Sequence, residues 1–466
     1  MSSLGQATVA ERSRDEPLLR GLGPVAALML VAGAVIGTGI FLSPSIVARE
    51  VGAPGLSLLA WAVCGLLALS GGLCFAELGA AIPRSGGTYA FLQRAFGQGW
   101  LPFLFGWSMF AVVLTGVMAA VATAFAIYAG HFLGRIMPYG IWTQRAVAIG
   151  CIAFLTMMNV IGVRAGGRIQ VVFTLAKIAG VTLLIVAGLA LGENVGGVTP
   201  LLPDRSAGAT LGAFGIAMIV ALFAYNGWWY STFAAAEVRD PQRSIPFSIM
   251  GGMAVVLIVY LLANIVYVTV LPFETLQASE RPAADVMTVL LGPRGGDFIA
   301  AAVMLSAFGT VNAQLLSIPR VYFAMARDGL FFAAVARVHP RYRTPAVAIA
   351  LQGIVASVLA LTGTFQQIIT YTAFPNYTFL TLGVVSLIVL RRREPDLPRP
   401  FRVPLYPFTP LLFIAIFGRY LVNSLQHSFR DTMVGIALTL AGLPLYFYWT
   451  RSTGRADALP AHDRHS

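Results

Sequence analysis

The sequence predicts an all-α integral membrane protein with twelve transmembrane helices in a single 466-residue chain. Composition is the first reason: 58% of residues are hydrophobic and 11% are charged, against roughly 25% charged in a soluble domain. The second is a series of apolar runs of about 20 residues, the length that crosses a hydrocarbon core. The third is a lopsided placement of arginine between those runs, which sets orientation. A net charge of +12 would otherwise invite a nucleic-acid reading; the shortage of charge excludes it. Cys64, Cys74 and Cys151 all lie inside apolar runs, as small packing residues and not as a disulfide or metal framework.

Spans are expected at about 22–48, 55–81, 100–130, 143–162, 169–191, 209–236, 246–271, 297–325, 345–363, 366–390, 406–425 and 432–450. The polar first twenty residues lack a cleavable signal pattern, so span 1 is expected to direct insertion. With the N-terminus inside, the cytoplasmic segments hold 21 arginines and the external segments 7. Both termini are therefore expected to be cytoplasmic, and most of the positive charge serves orientation beside anionic lipid.

Two spans contain helix-weakening centres. Span 1 reads AGAVIGTGIFLSP from Ala32 to Pro44, with Gly33, Gly37 and Gly39 crowding Thr38. Span 6 reads ALFAYNGWWYSTF from Ala221 to Phe233, with Asn226 and Gly227 at its centre. Glycine weakens a helix interior by roughly 0.5–1 kcal/mol relative to alanine, although glycines also serve close helix packing. Interrupted spans in matching positions point to two inverted halves around a mid-membrane site. The expected division is a cytoplasmic tail at 1–20, five-helix repeats at 21–191 and 207–390, a linker with helices 11 and 12 at 391–451, and a cytoplasmic tail at 452–466.

Such breaks suit a zwitterion. Backbone N–H groups of Gly37, Thr38 and Gly39, opening the outer half-helix, favour a carboxylate. Carbonyls near Val35 and at Phe223 and Ala224 end the preceding half-helices and can accept an amine. Asn226 joins the candidate set from the centre of the span 6 break. An α-amino acid carries both charges on adjacent atoms, which makes it the expected substrate class.

At these residues the sequence resembles the amino acid–polyamine–organocation (APC) superfamily, and within it the L-type (light-chain-like) amino acid transporters, as a bacterial member. The resemblance rests on GAVIGTGIFLSP (33–44), CFAELG (74–79), SGGTYAFLQRAFG (85–97), LFAYNGWWY (222–230), EVRDPQRSIP (237–246), SAFGTVNAQL (306–315), ARDGLFF (326–332), HPRYRTP (339–345) and RRREPDLPRPFRVPLYP (391–407). It implies a LeuT-type 5+5 inverted repeat plus two helices, alternating access and sodium-independent amino acid transport in the bacterial inner (plasma) membrane. It also implies a carboxylate on Gly37, Thr38 and Gly39, an amine on the carbonyls around Val35, Phe223 and Ala224, and Phe223 as the aromatic closing over substrate.

Departures from the family are equally specific. Trp229 follows Trp228 where eukaryotic members carry Asn, so it either alters pocket volume or faces lipid. The acidic pair after span 6 is reduced to Ala236-Glu237, leaving Glu237 as a lone gating candidate. The loop from Gly130 to Gln144 has no cysteine, so no covalent heavy chain is expected.

Lys177 is the only lysine. Nine residues beyond Arg168, it lies ~13–14 Å into the membrane at about 1.5 Å per residue. A cation at that depth is costly unless paired or wetted. In the family resemblance it occupies the region where sodium-coupled relatives bind their cation. It either braces the span 1 carbonyls as a fixed ammonium, carries a proton, or snorkels to the interface. Glu77 is a gate residue or a solvated interfacial carboxylate. Ser306, Thr310, Asn312, Gln314 and Asn376 either line a pathway or bond across helices.

No cofactor or metal is expected, and neither H-E-x-x-H nor G-x-S-x-G occurs. The reading is exchange of neutral L-amino acids, with proton-coupled uptake through Lys177 as the alternative. A non-transporting amino acid sensor is a distant third, since the tails leave little room for a signalling domain.

Overall fold

The structure is a computed structural model describing residues 23–452, except 84–86, 98, 162–165, 193–196, 233–237, 328–329, 338, 340–341 and 343. Its first half runs α1 Pro24–Val35, α2 Gly39–Val51, α3 Pro54–Ala81, α4 Thr88–Phe96, α5 Trp100–Ser108, α6 Leu114–Leu133, α7 Ile141–Ile161 and α8 Gly166–Leu191. Then follow α9 Ala207–Ala224, α10 Pro241–Val270, α11 Phe273–Ala278, α12 Pro282–Ser317, α13 Pro319–Arg327, α14 Ala346–Thr362 and α15 Phe365–Arg393. The last elements are α16 Phe408–His427, α17 Phe429–Leu440 and α18 Gly442–Ser452.

Local chemistry explains the starts. Pro54, Pro241 and Pro282 open α3, α10 and α12 at a position where the missing N–H has no helical partner anyway. The Ser206 hydroxyl accepts from Ala209 N–H at 3.4 Å and caps α9. Thr364 and Gln367 form a reciprocal capping box at α15.

Among the described residues, nine helical segments are long and apolar enough to cross a membrane, and α1 with α2 forms a tenth, bent by 42°. Two shorter apolar stretches, Lys177–Leu191 and Ala346–Thr362, lie where spans 5 and 9 are expected. Helix α14 has 17 residues, or about 26 Å at 1.5 Å per residue, a little short of a ~30 Å core. The protein is thus an all-helical membrane protein; α8, at 26 residues, also has the length of a crossing where span 5 is expected.

Two expected spans end differently. The α-helix of span 6 stops at Ala224 and resumes only as a 3-10 turn, Trp228–Thr232. Span 8 divides into α12 and α13 at Pro319, which has no N–H to continue the ladder. Helices α1 and α3 flank α10, α9 lies along α2, and the 3-10 turn lies along α1. Each half of span 6 therefore meets one half of span 1. Cys64, Cys74 and Cys151 are free and buried.

Candidate functional site

The span 1 break begins at Ile36, whose extended ψ of 91° ends α1 after its N–H bonds Ala32 O at 2.8 Å. In span 6, Tyr225 N–H and Asn226 N–H fold back onto Ala221 O and Phe223 O at 3.2 and 3.1 Å. Gly227 then adopts φ +115°, a conformation L side chains rarely enter. A Cβ there would lie 3.1 Å from Ala34 O. A Cβ on Gly39 would lie 2.7 Å from Ala224 Cα. The two breaks touch backbone to backbone, at the glycines singled out by sequence.

The carbonyls released by the breaks meet donors from other spans. The Tyr260 hydroxyl on α10 donates to Val35 O at 2.8 Å and to Ala224 O at 3.0 Å. One hydroxyl has one hydrogen, so these two acceptors share it. Phe223 O is occupied within its own turn by Asn226 N–H. Lys177 Nζ donates to Gly33 O, one turn before the break. Its side chain is buried, and its contact lies at the span 1 carbonyls, not at the interface.

Two more tyrosines hold the outer half-helix. Pro44 cannot donate to Ile40 O, and Tyr267 fills that acceptor at 3.1 Å. Tyr128 donates to Phe41 O at 2.8 Å. Sequence reasoning missed all three tyrosines. The legible signal was a pair of phenols seven residues apart on one helix, Tyr260 and Tyr267, each needing an acceptor inside an apolar span.

Among the candidate side chains, Thr38 is buried and its Oγ1 has no hydrogen-bond partner among the described residues. Gly37 has room: a Cβ would meet only Val35 O, at 3.7 Å. The Phe223 ring packs edge-to-face on Phe365 with centroids 5.7 Å apart. Asn226 accepts through Oδ1 from Trp229 Nε1 at 3.0 Å. Trp229 is fully buried, so it faces protein and not lipid. Tyr225, Tyr260 and Trp61 cluster beside the break, the two tyrosine rings 4.9 Å apart. Val35, Gly37, Thr38, Gly39, Phe223, Ala224 and Asn226 are thus gathered at the junction, with Lys177 one turn away. Glu237 lies outside the described residues.

Glu77 is not a solvated carboxylate. It is 1% exposed and receives Arg391 on both oxygens, at 2.8 and 2.5 Å. The Val403 N–H adds a bond at 2.6 Å, and Arg399 lies 3.5 Å away. Arg391 also stacks over Tyr406. Glu77 therefore clamps the end of span 2 to the end of span 10 and the segment after it. Asn312 bonds across to Asn159 at 2.9 Å, the cross-helix role. Asn376 Oδ1, Ser306 Oγ and Gln314 Oε1 are buried without partners among the described residues. No His/Cys/Asp/Glu group among the described residues has the makings of a metal site.

Residues 22–442 match the family model for amino acid permeases. The chain belongs to the amino acid permease family. This bears out the resemblance to the L-type branch of the APC superfamily. The permease is 33% identical over 443 residues to the serine/threonine exchanger SteT of Bacillus subtilis (strain 168), covering 93% of this chain and 98% of that one. It is 32% identical over 443 residues to the large neutral amino acids transporter small subunit 2 of Homo sapiens, covering 93% and 81%. The cystine/glutamate transporter of Homo sapiens is 32% identical over 442 residues, covering 93% and 85%.

Proposed function

We propose that this permease exchanges neutral L-amino acids across the bacterial plasma membrane by alternating access, without sodium. The observation carrying this reading is the contact of the two broken helices at Gly39 and Ala224, with Val35 O and Ala224 O converging on one hydroxyl. Two carbonyls close enough to share a donor form an acceptor pair for an ammonium group. The outer half-helix, opened by Gly37, Thr38 and Gly39, offers N–H dipoles to the carboxylate. Thr38 Oγ1 supplies a polar atom with capacity to spare. Neither break sequence contains an acidic residue to call for a cationic side chain.

Lys177 supports sodium independence. Its ammonium sits on Gly33 O, so a positive charge fixed to the protein braces the carbonyl end of the break. Phe223 is the closing aromatic in this reading, and Glu237 a cytoplasmic gate residue. The name of one similar protein, a serine/threonine exchanger, favours exchange. The cysteine-free loop from Gly130 to Gln144 fits a chain working without a covalently attached subunit.

The second reading is proton-coupled uptake. It draws on the burial of Lys177 within a span, with a neutral backbone carbonyl as its hydrogen-bond acceptor. The test is uptake of labelled L-serine and L-leucine into proteoliposomes, varying internal unlabelled amino acid and the pH gradient separately, in wild type and Lys177→Ala. Exchange predicts uptake that needs internal amino acid and ignores the gradient. Gradient-driven uptake into empty vesicles, lost in Lys177→Ala, overturns exchange in favour of the second reading.

A further inference from the structure

A hollow of about 350 Å³ lies at the outer end of the bundle, away from the Glu77 clamp. Its wall is one face of α2, Leu42, Ser45 and Arg49, which runs up from the span 1 break. The starts of α7 and α15 close the other sides, bringing Arg145, Phe365 and Gln366, and Glu280 also lines it. All these segments are external in the orientation expected from the arginines.

The volume falls in the range of small-molecule sites. The polarity is mixed: Arg49 and Arg145 are cationic and Glu280 is anionic, with Gln366 and Ser45 between them. Several of these groups already have partners. Arg49 Nε donates to Gln277 O at 3.1 Å, and Gln366 Nε2 donates to Glu50 Oε1 at 3.2 Å. Arg145 differs. Its guanidinium lies over the Trp142 ring at 4.8 Å, while its Nε is shielded from solvent and has no hydrogen-bond partner among the described residues. A shielded guanidinium N–H without an acceptor is costly, and a carboxylate is its best complement.

One lining residue ties the hollow to the central site. Phe365 lines it and packs on Phe223, the residue closing the span 6 side. An occupant of the hollow is therefore one aromatic layer from the break.

We propose that this hollow is an outer subsite for a zwitterionic α-amino acid, with Arg145 receiving the carboxylate and Glu280 facing the amine before Phe223 and Phe365 part. The proposal rests on the exchanger reading and adds a second, side-specific site to it. A subsite on one face alters affinity from that face only, which a merely structural role for Arg145 would not do.

The test uses the full chain in proteoliposomes and nanodiscs with labelled L-serine and L-leucine. Arg145→Gln is expected to raise KM for uptake from the external face about tenfold, to retain the maximal rate, and to leave KM for efflux unchanged. Equilibrium binding is expected to fall from two molecules per chain to one. If Arg145→Gln does not fold, Gln144→Trp, which fills the hollow from its rim, carries the same expectations. One molecule bound per wild-type chain, or equal KM changes on both faces, overturns the subsite while leaving the exchanger reading intact. A wild type that neither binds nor transports either amino acid overturns both.

Discussion

Gly39 and Ala224 meet so closely that a β-carbon on the glycine would fall 2.7 Å from Ala224 Cα and 2.8 Å from its Cβ. They are 185 positions apart in sequence, yet this contact joins the break of span 1 to the break of span 6. Gly39 is thus a packing residue as well as a helix start, and its substitution acts first on the junction. Gly39→Val is expected to push the two half-helices apart.

That distinction separates two glycines. Gly39→Ala is expected to destabilise by about 1–3 kcal/mol through overpacking and to abolish uptake. Gly37→Ala, whose β-carbon would make only an ordinary contact with Val35 O at 3.7 Å, is expected to keep the wild-type melting temperature while weakening amino acid binding. Thermal unfolding in detergent, with and without L-leucine, checks both expectations. Equal melting losses in the two variants would contradict the assignment.

Tyr260→Phe removes the hydroxyl shared by Val35 O and Ala224 O and leaves two buried carbonyls short of a donor. A cost of about 1–3 kcal/mol is expected without substrate. An amino acid ammonium can replace the lost donor, so L-leucine is expected to raise the melting temperature more in Tyr260→Phe than in wild type. A smaller ligand-induced shift in the variant contradicts an amine site at these carbonyls.

Glu77→Gln strips the charge from a buried carboxylate and leaves Arg391 without its counter-ion. Breaking one side of a buried pair costs about 3–5 kcal/mol. Glu77→Met with Arg391→Met is expected to recover much of that loss, as measured by a double-mutant cycle. The outer cluster of Asp297 with His131 and Arg135 is far more exposed. Asp297→Asn is therefore expected to change the melting temperature much less than Glu77→Gln.

Much of this site was legible in the sequence because helix breaks are local. Glycines around Thr38 and the Asn226-Gly227 pair announce themselves by composition, and Lys177 by its depth in an apolar span. What stayed hidden is long-range. Nothing in the text near Glu77 names Arg391, Arg399 or Val403 as its partners. Nothing near Gly39 says that Ala224 presses against it. Tyr260 and Tyr267 read as ordinary span aromatics until Val35 O, Ala224 O and Ile40 O lie against their hydroxyls. Trp229 left two readings open because hydropathy does not separate a lipid-facing indole from one bonded to Asn226. Span limits failed where proline acts late, as at Pro319, since its neighbours are as apolar as any helix interior.

The central claim is that two broken helices grip both ends of one zwitterion. Its most direct test is competition against labelled L-leucine uptake by unlabelled L-leucine, leucine methyl ester and N-acetyl-leucine in the same proteoliposomes. The grip predicts that the free amino acid competes and that blocking either end weakens competition at least tenfold. Inhibition by either blocked analogue at the concentration of L-leucine itself would contradict it.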